Sequence, residues 1–481
     1  MTQNLTRNPV TEPVAAAESA KSPTELSTIA VTTLIGGAFL PILSFFIINV
    51  ALPSIGSDLG ASKAGLQLVV GTYGIANATL VVVGGRLGDA FGRRRLFLIG
   101  MAGFTVFSLL CGLAPNISTL LAFRVGQGAV AALMTPQVLA TIAAVLTGSS
   151  RIRAVGMFGA AGGVGAAVGQ ILGGVLVSAD IAGLGWRTVF FVNIPVCVIV
   201  FIAAYRVIPE TKASVRLPVD GIGALLLGTT LVMLLLPLTE GRALGWPIWT
   251  WVMLLAVVPL AVVLAMHQRW FERSGRAALV PPSVLRLRGM RIGLIIGIAF
   301  FSTFGGFMFV FAIATQGEGG MSPLEGGLTY LPLAVSFMAV SVYNAKLQER
   351  YGPSIIVRGW AIQAVGYLAC AAVVAARWPD VGPLTLAIPM FVIGLGAGLV
   401  MMPLFGVVMA QVPQEQAGLG SGILITTQQT CISLGAATVG TLFLILAGSS
   451  WGQGGALTAV EVMIAIVSIA AIPVSLGLTR K

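Results

Sequence analysis

Charge is scarce in this chain: only 9% of its 481 residues are Asp, Glu, Lys or Arg, against roughly a quarter in an ordinary soluble domain. So little charge cannot clothe a water-soluble globule of this size. Histidine occurs once, at His267, and Cys111, Cys197, Cys370 and Cys431 stand singly inside apolar runs. That supply excludes a zinc site and a disulfide framework, so small buried thiols and no metal are expected. No glycine-rich loop closes on Gly-Lys-Ser/Thr, which removes ATP as the driving force and leaves no cofactor in view. The apolar segments also lack the clustered acid, base or metal set of a membrane enzyme, so no enzyme is expected. Both tails are short, which speaks against a sensor with a soluble output domain.

What is present is apolar surface and glycine. Hydrophobic residues make up 57% of the chain, mean hydropathy is +0.98, and there are 61 glycines. A membrane span takes about 20 apolar residues, and small residues let such helices approach closely. Apolar runs between charged or Gly/Pro interruptions predict fourteen helices, near 29–52, 66–85, 96–114, 118–146, 154–178, 188–207, 219–238, 247–266, 291–315, 327–345, 354–375, 383–408, 418–447 and 457–478.

An even count puts both termini on one side, and basic residues should then gather in alternate loops. With the termini inside, 22 of the 27 basic residues fall inside, from Arg7 and Lys21 in the tail through Lys212 and Arg216 to Arg480 and Lys481. Only Lys63, Arg187, Arg242 and Arg377 fall outside, and Arg124 lies within a span. The net charge of +11 therefore reports topology and lipid headgroups, and no nucleic-acid partner is expected. Trp186, Trp246, Trp378 and Trp451 are placed at the outer interface, Trp270 and Trp360 near the inner one. His267, beside Arg269 and Arg273, is expected to face headgroups. Residues 1–28 read as a disordered cytoplasmic tail.

The chain repeats itself. Gly85-Arg-Leu-Gly-Asp-Ala-Phe-Gly92 aligns without gaps to Ala345-Lys-Leu-Gln-Glu-Arg-Tyr-Gly352 at an offset of 260, and each segment follows the second helix of its half. Gly126-Gln-Gly-Ala in the fourth helix is echoed by Gly394-Leu-Gly-Ala in the twelfth. The reading is an all-α integral membrane protein of two pseudo-symmetric six-helix bundles, 29–213 and 289–481, separated by a two-helix insert and cytoplasmic linker, 214–288. Repeated halves rocking about a midplane site are the architecture of secondary transporters.

Four motifs carry the mechanism. The loop from Gly85 to Leu96 reads GRLGDAFGRRRL: Gly85 and Gly92 permit a tight turn, and Asp89 can face Arg93 and the positive end of a helix from the other half. The bland alternative is an anchor of inside charge. The fifth helix spaces Gly156, Gly165, Gly169, Gln170, Gly173 and Gly174 into a flat face for close packing. Arg124, in Arg124-Val-Gly-Gln-Gly128, is the only basic residue inside a span and needs partners there, such as backbone carbonyls, Asn49 or Gln127. The first helix carries Ser44-Phe-Phe-Ile-Ile-Asn-Val-Ala-Leu-Pro53.

These segments, over about residues 29–478, resemble the major facilitator superfamily and, within it, its fourteen-helix drug:H+ antiporter (multidrug efflux) branch. Trp186-Arg187, Phe190-Phe191-Val-Asn-Ile-Pro195 and Glu210 add to the likeness. The resemblance implies a conformational latch at Gly85, Asp89, Gly92 and Arg93, an antiporter motif in the fifth helix, and a cavity or coupling role for Arg124. It implies a multi-pass protein of a bacterial cytoplasmic (inner) membrane, a small amphiphilic substrate, protons and lipids as partners, and a monomer.

Two departures matter. Gln170 stands where relatives often have proline, and Ser44 where they usually have aspartate. Serine carries no proton, and Glu461, Asp220 and Glu240 are each placed near an interface. Three explanations stay open: coupling through Asp89 at the latch, coupling through Asp58 or Glu461 by a water path, or no coupling. Cavity candidates are Asn49, Asn77, Gln127, Gln137, Thr303, Tyr330, Gln363, Gln428 and Gln429, each with an interhelical hydrogen bond as the plain alternative. A cavity with Arg124 and few acids suits a neutral, zwitterionic or anionic compound. The expected function is secondary active export of amphiphilic drugs or toxic metabolites, with a proton-independent facilitator or organic-anion transporter of the same fold as the alternative.

Overall fold

The computed structural model describes residues 26–211, 220–241, 244–276, 278–410, 412 and 417–478. The tail to residue 25, and with it Arg7 and Lys21, lies outside the described residues, as do Lys212, Arg216, Arg242, Arg480 and Lys481. In chain order the helices are α1 (Thr28–Leu59), α2 (Lys63–Phe91), α3 (Arg93–Gly112), α4 (Ile117–Val145), α5 (Gly148–Ala179), α6 (Thr188–Phe191), α7 (Asn193–Val207), α8 (Gly221–Glu240) and α9 (Ile248–Arg273). The second part holds α10 (Pro282–Arg286), α11 (Arg288–Gln316), α12 (Pro323–Leu328), α13 (Leu331–Tyr351), α14 (Ser354–Arg377), α15 (Ala387–Ala410), α16 (Ala417–Ala447) and α17 (Gly452–Leu476). Among the described residues, fourteen segments are long and apolar enough to cross a membrane, with α6 and α7 sharing one span and α12 and α13 another. No strand occurs among the described residues.

Local chemistry sets the ends. Ser27, Ser62, Asn116 and Asp220 accept from the first-turn amides of α1, α2, α4 and α8, and Ser322 with Glu325 forms a capping box on α12. The long runs 118–146 and 418–447 are single unbroken helices. The loop expected after the second helix shrinks to one residue: α2 continues to Phe91, and α3 starts at Arg93. Gly92, at φ 110°, makes that turn alone, a conformation open mainly to glycine.

The two halves repeat one packing scheme. In the first, α1 packs on α5, α2 on α4, and α3 on both α4 and α7; in the second, α11 packs on α16, α13 on α15, and α14 on both α15 and α17. Between the halves, α5 runs against α12, α13 and α15, while α2 and α4 face α16. The insert helix α8 lies on α2 and α16, and α9 packs chiefly on α8. Only 6% of the apolar window of α9 is buried, so this helix presents its side chains to lipid.

Two placements are corrected. Trp360 is fully buried in α14 and fills the interior of its bundle, so it does not belong to an interfacial belt; Trp186 is also buried, packed at the start of its span, where its Nε1 donates to Asp58. His267 does not face headgroups: its Nε2 lies 2.9 Å from Asp220 Oδ1, which also accepts from Gly223 N, while Oδ2 accepts from Gln268 Nε2. Burial pushes the Asp220 carboxyl up, yet these donors hold it below its ordinary value. All four cysteines are free and buried.

Candidate functional site

At the end of α2, Asp89 Oδ1 accepts from Arg93 Nε at 3.1 Å and Nη2 at 2.8 Å. The other end of the motif is held by its own half: Arg93 N donates to Thr211 O, and Arg94 N to Glu210 Oε1 at 3.2 Å. A Cβ on Gly92 would sit 2.6 Å from that Glu210 oxygen, so glycine makes room for the carboxylate that caps α3. Gly85 does not form a turn. It lies inside α2, and a Cβ there would meet only Pro136 at 3.6 Å. The close approaches belong to Gly84, against the Ala132 carbonyl, and Gly88, against the Gln137 amide. Arg86 Nη2 donates to Ala278 O in the linker. Among the described residues, Asp89 has no hydrogen-bond partner in the other half.

Arg124 is fully buried on α4. Its Nε donates to Val69 O at 3.0 Å and its Nη1 to Gln127 Oε1 at 2.7 Å, while Gln127 Nε2 donates to Ser108 Oγ at 2.9 Å. The guanidinium sits 4.3 Å from the Tyr73 ring centroid and 5.9 Å from that of Phe190, a desolvated cation–π arrangement. Nη2 has no partner. No carboxylate forms an ion pair with Arg124 among the described residues. Gln127 is thus brought to Arg124, but Asn49, whose Oδ1 is buried without a partner, is not bonded to either. Tyr73 was not legible beforehand, since it arrives from α2 and no spacing signals it.

The motif glycines of α5 divide between two neighbours. A Cβ on Gly169 would lie 3.0 Å from Leu43 O, and one on Gly173 2.7 Å from Ile47 O, so these two, with Gly165 beside Phe39 and Ile42, receive α1. Gly156 faces Asn344 of α13, and Gly174 faces the Pro323 carbonyl at the start of α12. Gly327 of α12 answers from the other side, where a Cβ would lie 2.8 Å from Gln170 O. α5 runs unbroken through Gln170, whose side chain is buried with both polar atoms unpartnered. Beside this seam Phe46 meets Phe304 and Phe158 meets Phe405 across the halves. A cavity lined by Phe45, Val70, Phe309 and Ser433 has about 20 Å³, room for one water, so the halves are shut there.

Of the other polar candidates, Gln137 bonds Gly84 O, Tyr330 bonds Met308 O, and Thr303 bonds Ala299 O. The first two serve helix packing, and the third stays within α11. Asp58 is engaged at the end of α1, accepting from Trp186 Nε1 at 2.9 Å and Arg187 Nη1 at 2.6 Å. Glu461 is the main correction. It is not interfacial: it lies nine residues into α17, about 14 Å along the axis, and is completely buried. Neither carboxyl oxygen has a hydrogen-bond partner. It faces Cys370 and Tyr367 of α14, far from the Arg124 group in chain and in bundle.

A membrane-spanning chain whose halves repeat one helix scheme and meet along a glycine seam has the construction of a secondary transporter. Residues 34–436 match the Major Facilitator Superfamily, and the chain belongs to that family of transporters, which are not enzymes. It is 36% identical over 87% of its length to a "Probable actinorhodin transporter" of Streptomyces coelicolor, covering 73% of that protein. It is 33% identical over 85% of its length to "Puromycin resistance protein pur8" of Streptomyces alboniger, covering 80% of it, and 30% identical over 84% to a "Tetracenomycin C resistance and export protein" of Streptomyces glaucescens, covering 74%. The human organic anion transporter MFSD10 shares the fold, with a TM-score of 0.66 at 15% identity, over 93% of this chain and 99% of that one.

Proposed function

We propose that the chain exports amphiphilic antibiotic-like compounds from a bacterial cytoplasm by alternating access, driven by proton entry. The observation that carries this reading is the α5 seam. Backbone meets backbone between Gly174 and Pro323 and between Gln170 and Gly327, so at these two contacts no side chains interlock to resist one half sliding against the other. The compounds in the relatives' names, actinorhodin, puromycin and tetracenomycin C, are the ones to try.

In this reading the bundles are 29–213 and 289–481, the insert and linker 214–288 bridge them, both termini are cytoplasmic, and one copy suffices. Asp89 and Arg93 with Gly92 form the inner latch, with Glu210 as its cap. Arg124 gives the first half a buried positive site that favours neutral or anionic substrate groups. Ser44, buried with an unpartnered hydroxyl, favours a second reading, a facilitator without proton coupling.

Everted membrane vesicles decide between them. Energised vesicles carrying a pH-gradient dye should show proton release when one of these compounds is added, and D89N should abolish it. Labelled compound crossing with no change in the gradient would establish the facilitator instead.

A further inference from the structure

Buried polar groups nearly always find partners, and buried acids find them first. Glu461 departs from this rule more sharply than any other acid of the described residues. It is fully buried and both oxygens are unpartnered. The groups facing it on α14 are the Cys370 thiol and the Tyr367 hydroxyl, with Tyr330 beyond them. The other helices packed on α17 offer no counter-ion. The only charged side chains of α11 are Arg288 and Arg291, and Arg288 Nη2 bonds Gly477 O at the far end of α17. No charged residue occurs in α16, whose one titratable group is Cys431. Such surroundings accommodate the neutral acid and penalise the anion.

Two further features point to traffic at this carboxyl. First, a groove of about 620 Å³ opens between α14 and α17, lined by Glu318, Val374, Trp378, Trp451 and Thr458. Val374 lies one turn from Cys370 and Thr458 one turn from Glu461, so the floor of the groove stands about 5 Å from the buried pair. Second, a polar stripe continues away from the groove along one face of α14, through Cys370, Tyr367, Gln363 and Trp360. Gln363 Nε2 donates to the Tyr367 hydroxyl at 3.5 Å, while Gln363 Oε1 and Trp360 Nε1 are buried and unpartnered. Those vacant positions suit transient water, which needs polar partners to enter.

We propose that Glu461 is the proton-binding carboxylate of the transport cycle, loaded from the outer side through the α14–α17 groove and unloaded along the Tyr367–Gln363 face of α14. A proton from water adds to one carboxylate oxygen, and the same O–H bond later breaks to water on the other side. This rests on the proton-driven reading above. It places coupling in the second half, where the serine at position 44 has no bearing on it.

The test uses the full chain in liposomes and has two arms. Dicyclohexylcarbodiimide adds to a protonated, water-poor carboxyl and rearranges to a stable N-acylurea with no leaving group. Peptide mass analysis should find the adduct on Glu461, weakening as pH rises, and absent in E461Q. A wild-type protein with no adduct there at any pH overturns the proposal, whatever it transports. The second arm compares exchange of labelled puromycin at equal pH, which needs no proton, with accumulation against a pH gradient. One coupled proton across one pH unit supports about tenfold accumulation. Wild type should reach it, and E461Q should keep exchange and lose accumulation. An E461Q protein that still accumulates overturns the assignment. If E461Q loses exchange as well, E461D decides: recovery of both activities supports the proposal, and recovery of neither rejects it. If wild type exchanges neither puromycin, actinorhodin nor tetracenomycin C, the export reading fails, while the carbodiimide arm still judges Glu461.

Discussion

The two halves share a packing scheme and differ in the charge each one buries. The first encloses Arg124, a cation with no ion-paired acid, held by Val69 O, Gln127 Oε1 and the Tyr73 ring. The second encloses Glu461, an acid with no cation, whose polar neighbour is the Cys370 thiol. A repeat preserves helix contacts because backbone approach sets them, as at Gly128 of α4 against the Tyr73 carbonyl of α2 and Gly394 of α15 against the Leu333 carbonyl of α13. Side chains on those helices are free to diverge. With Glu461 as the proposed proton site, the labour divides: one half fixes a positive charge and the other holds a group whose charge can change.

Removing the fixed charge should have the largest effect. R124Q takes the donor from Gln127 Oε1 and Val69 O and leaves buried acceptors unpaired, at about 1–3 kcal/mol each. Transport of puromycin in the liposome exchange assay should fall about a hundredfold. R124K should fall short of full rescue, since an ammonium cannot reproduce the fork that reaches both acceptors while lying on Tyr73. Full activity in R124Q would remove Arg124 from the working site and dissolve the contrast between the halves.

The seam tests whether the halves must move to bring these charges into use. A side chain at Gly327 would press on Gln170 O and Ile171 Cα, and overpacking of this kind costs about 1–3 kcal/mol. G327V should therefore disfavour the closed contact near the Ala179 end of α5 and slow exchange about tenfold. The accompanying readout is a cysteine placed at Leu324, which should react faster with a membrane-impermeant maleimide in the G327V background. Unchanged reactivity and rate would mean that this contact does not open in the cycle.

How far the sequence foretold this arrangement depends on what each feature needs. Spans, repeat and glycine face were legible because hydropathy and spacing act along one helix; α4 and α16 appear where the apolar runs lie. Contacts between helices were not. Arg124 announced itself as a charge within a span, yet its seat on Tyr73 comes from α2. Sequence alone puts Glu461 near an interface because it falls close to the start of the apolar run, whereas α17 begins at Gly452 and α14 packs over the side chain. Gly85 reads as a turn residue in sequence, and α2 runs through it because Gly92 alone supplies the positive φ.

Asp220 is the control for Glu461, a buried acid that does have its donors. His267, Gln268 and Gly223 N surround it, and they tie the start of α8 to the end of α9. Its folded carboxyl is held below the ordinary value, so by linkage it contributes stability that is complete above the unfolded pKa and lost as pH falls through the folded one. D220N should lower the unfolding temperature of the detergent-solubilised chain at neutral pH, by the equivalent of about 1 kcal/mol for charge-assisted bonds weakened but not all lost. The difference from wild type should then vanish in acid as the wild-type carboxyl protonates. Exchange should change by less than about twofold, because Asp220 meets no group of the Arg124 cluster or of the α14–α17 pair. A D220N protein with normal stability but no proton-driven accumulation would reverse the assignment, making the satisfied acid the coupling group and Glu461 the bystander.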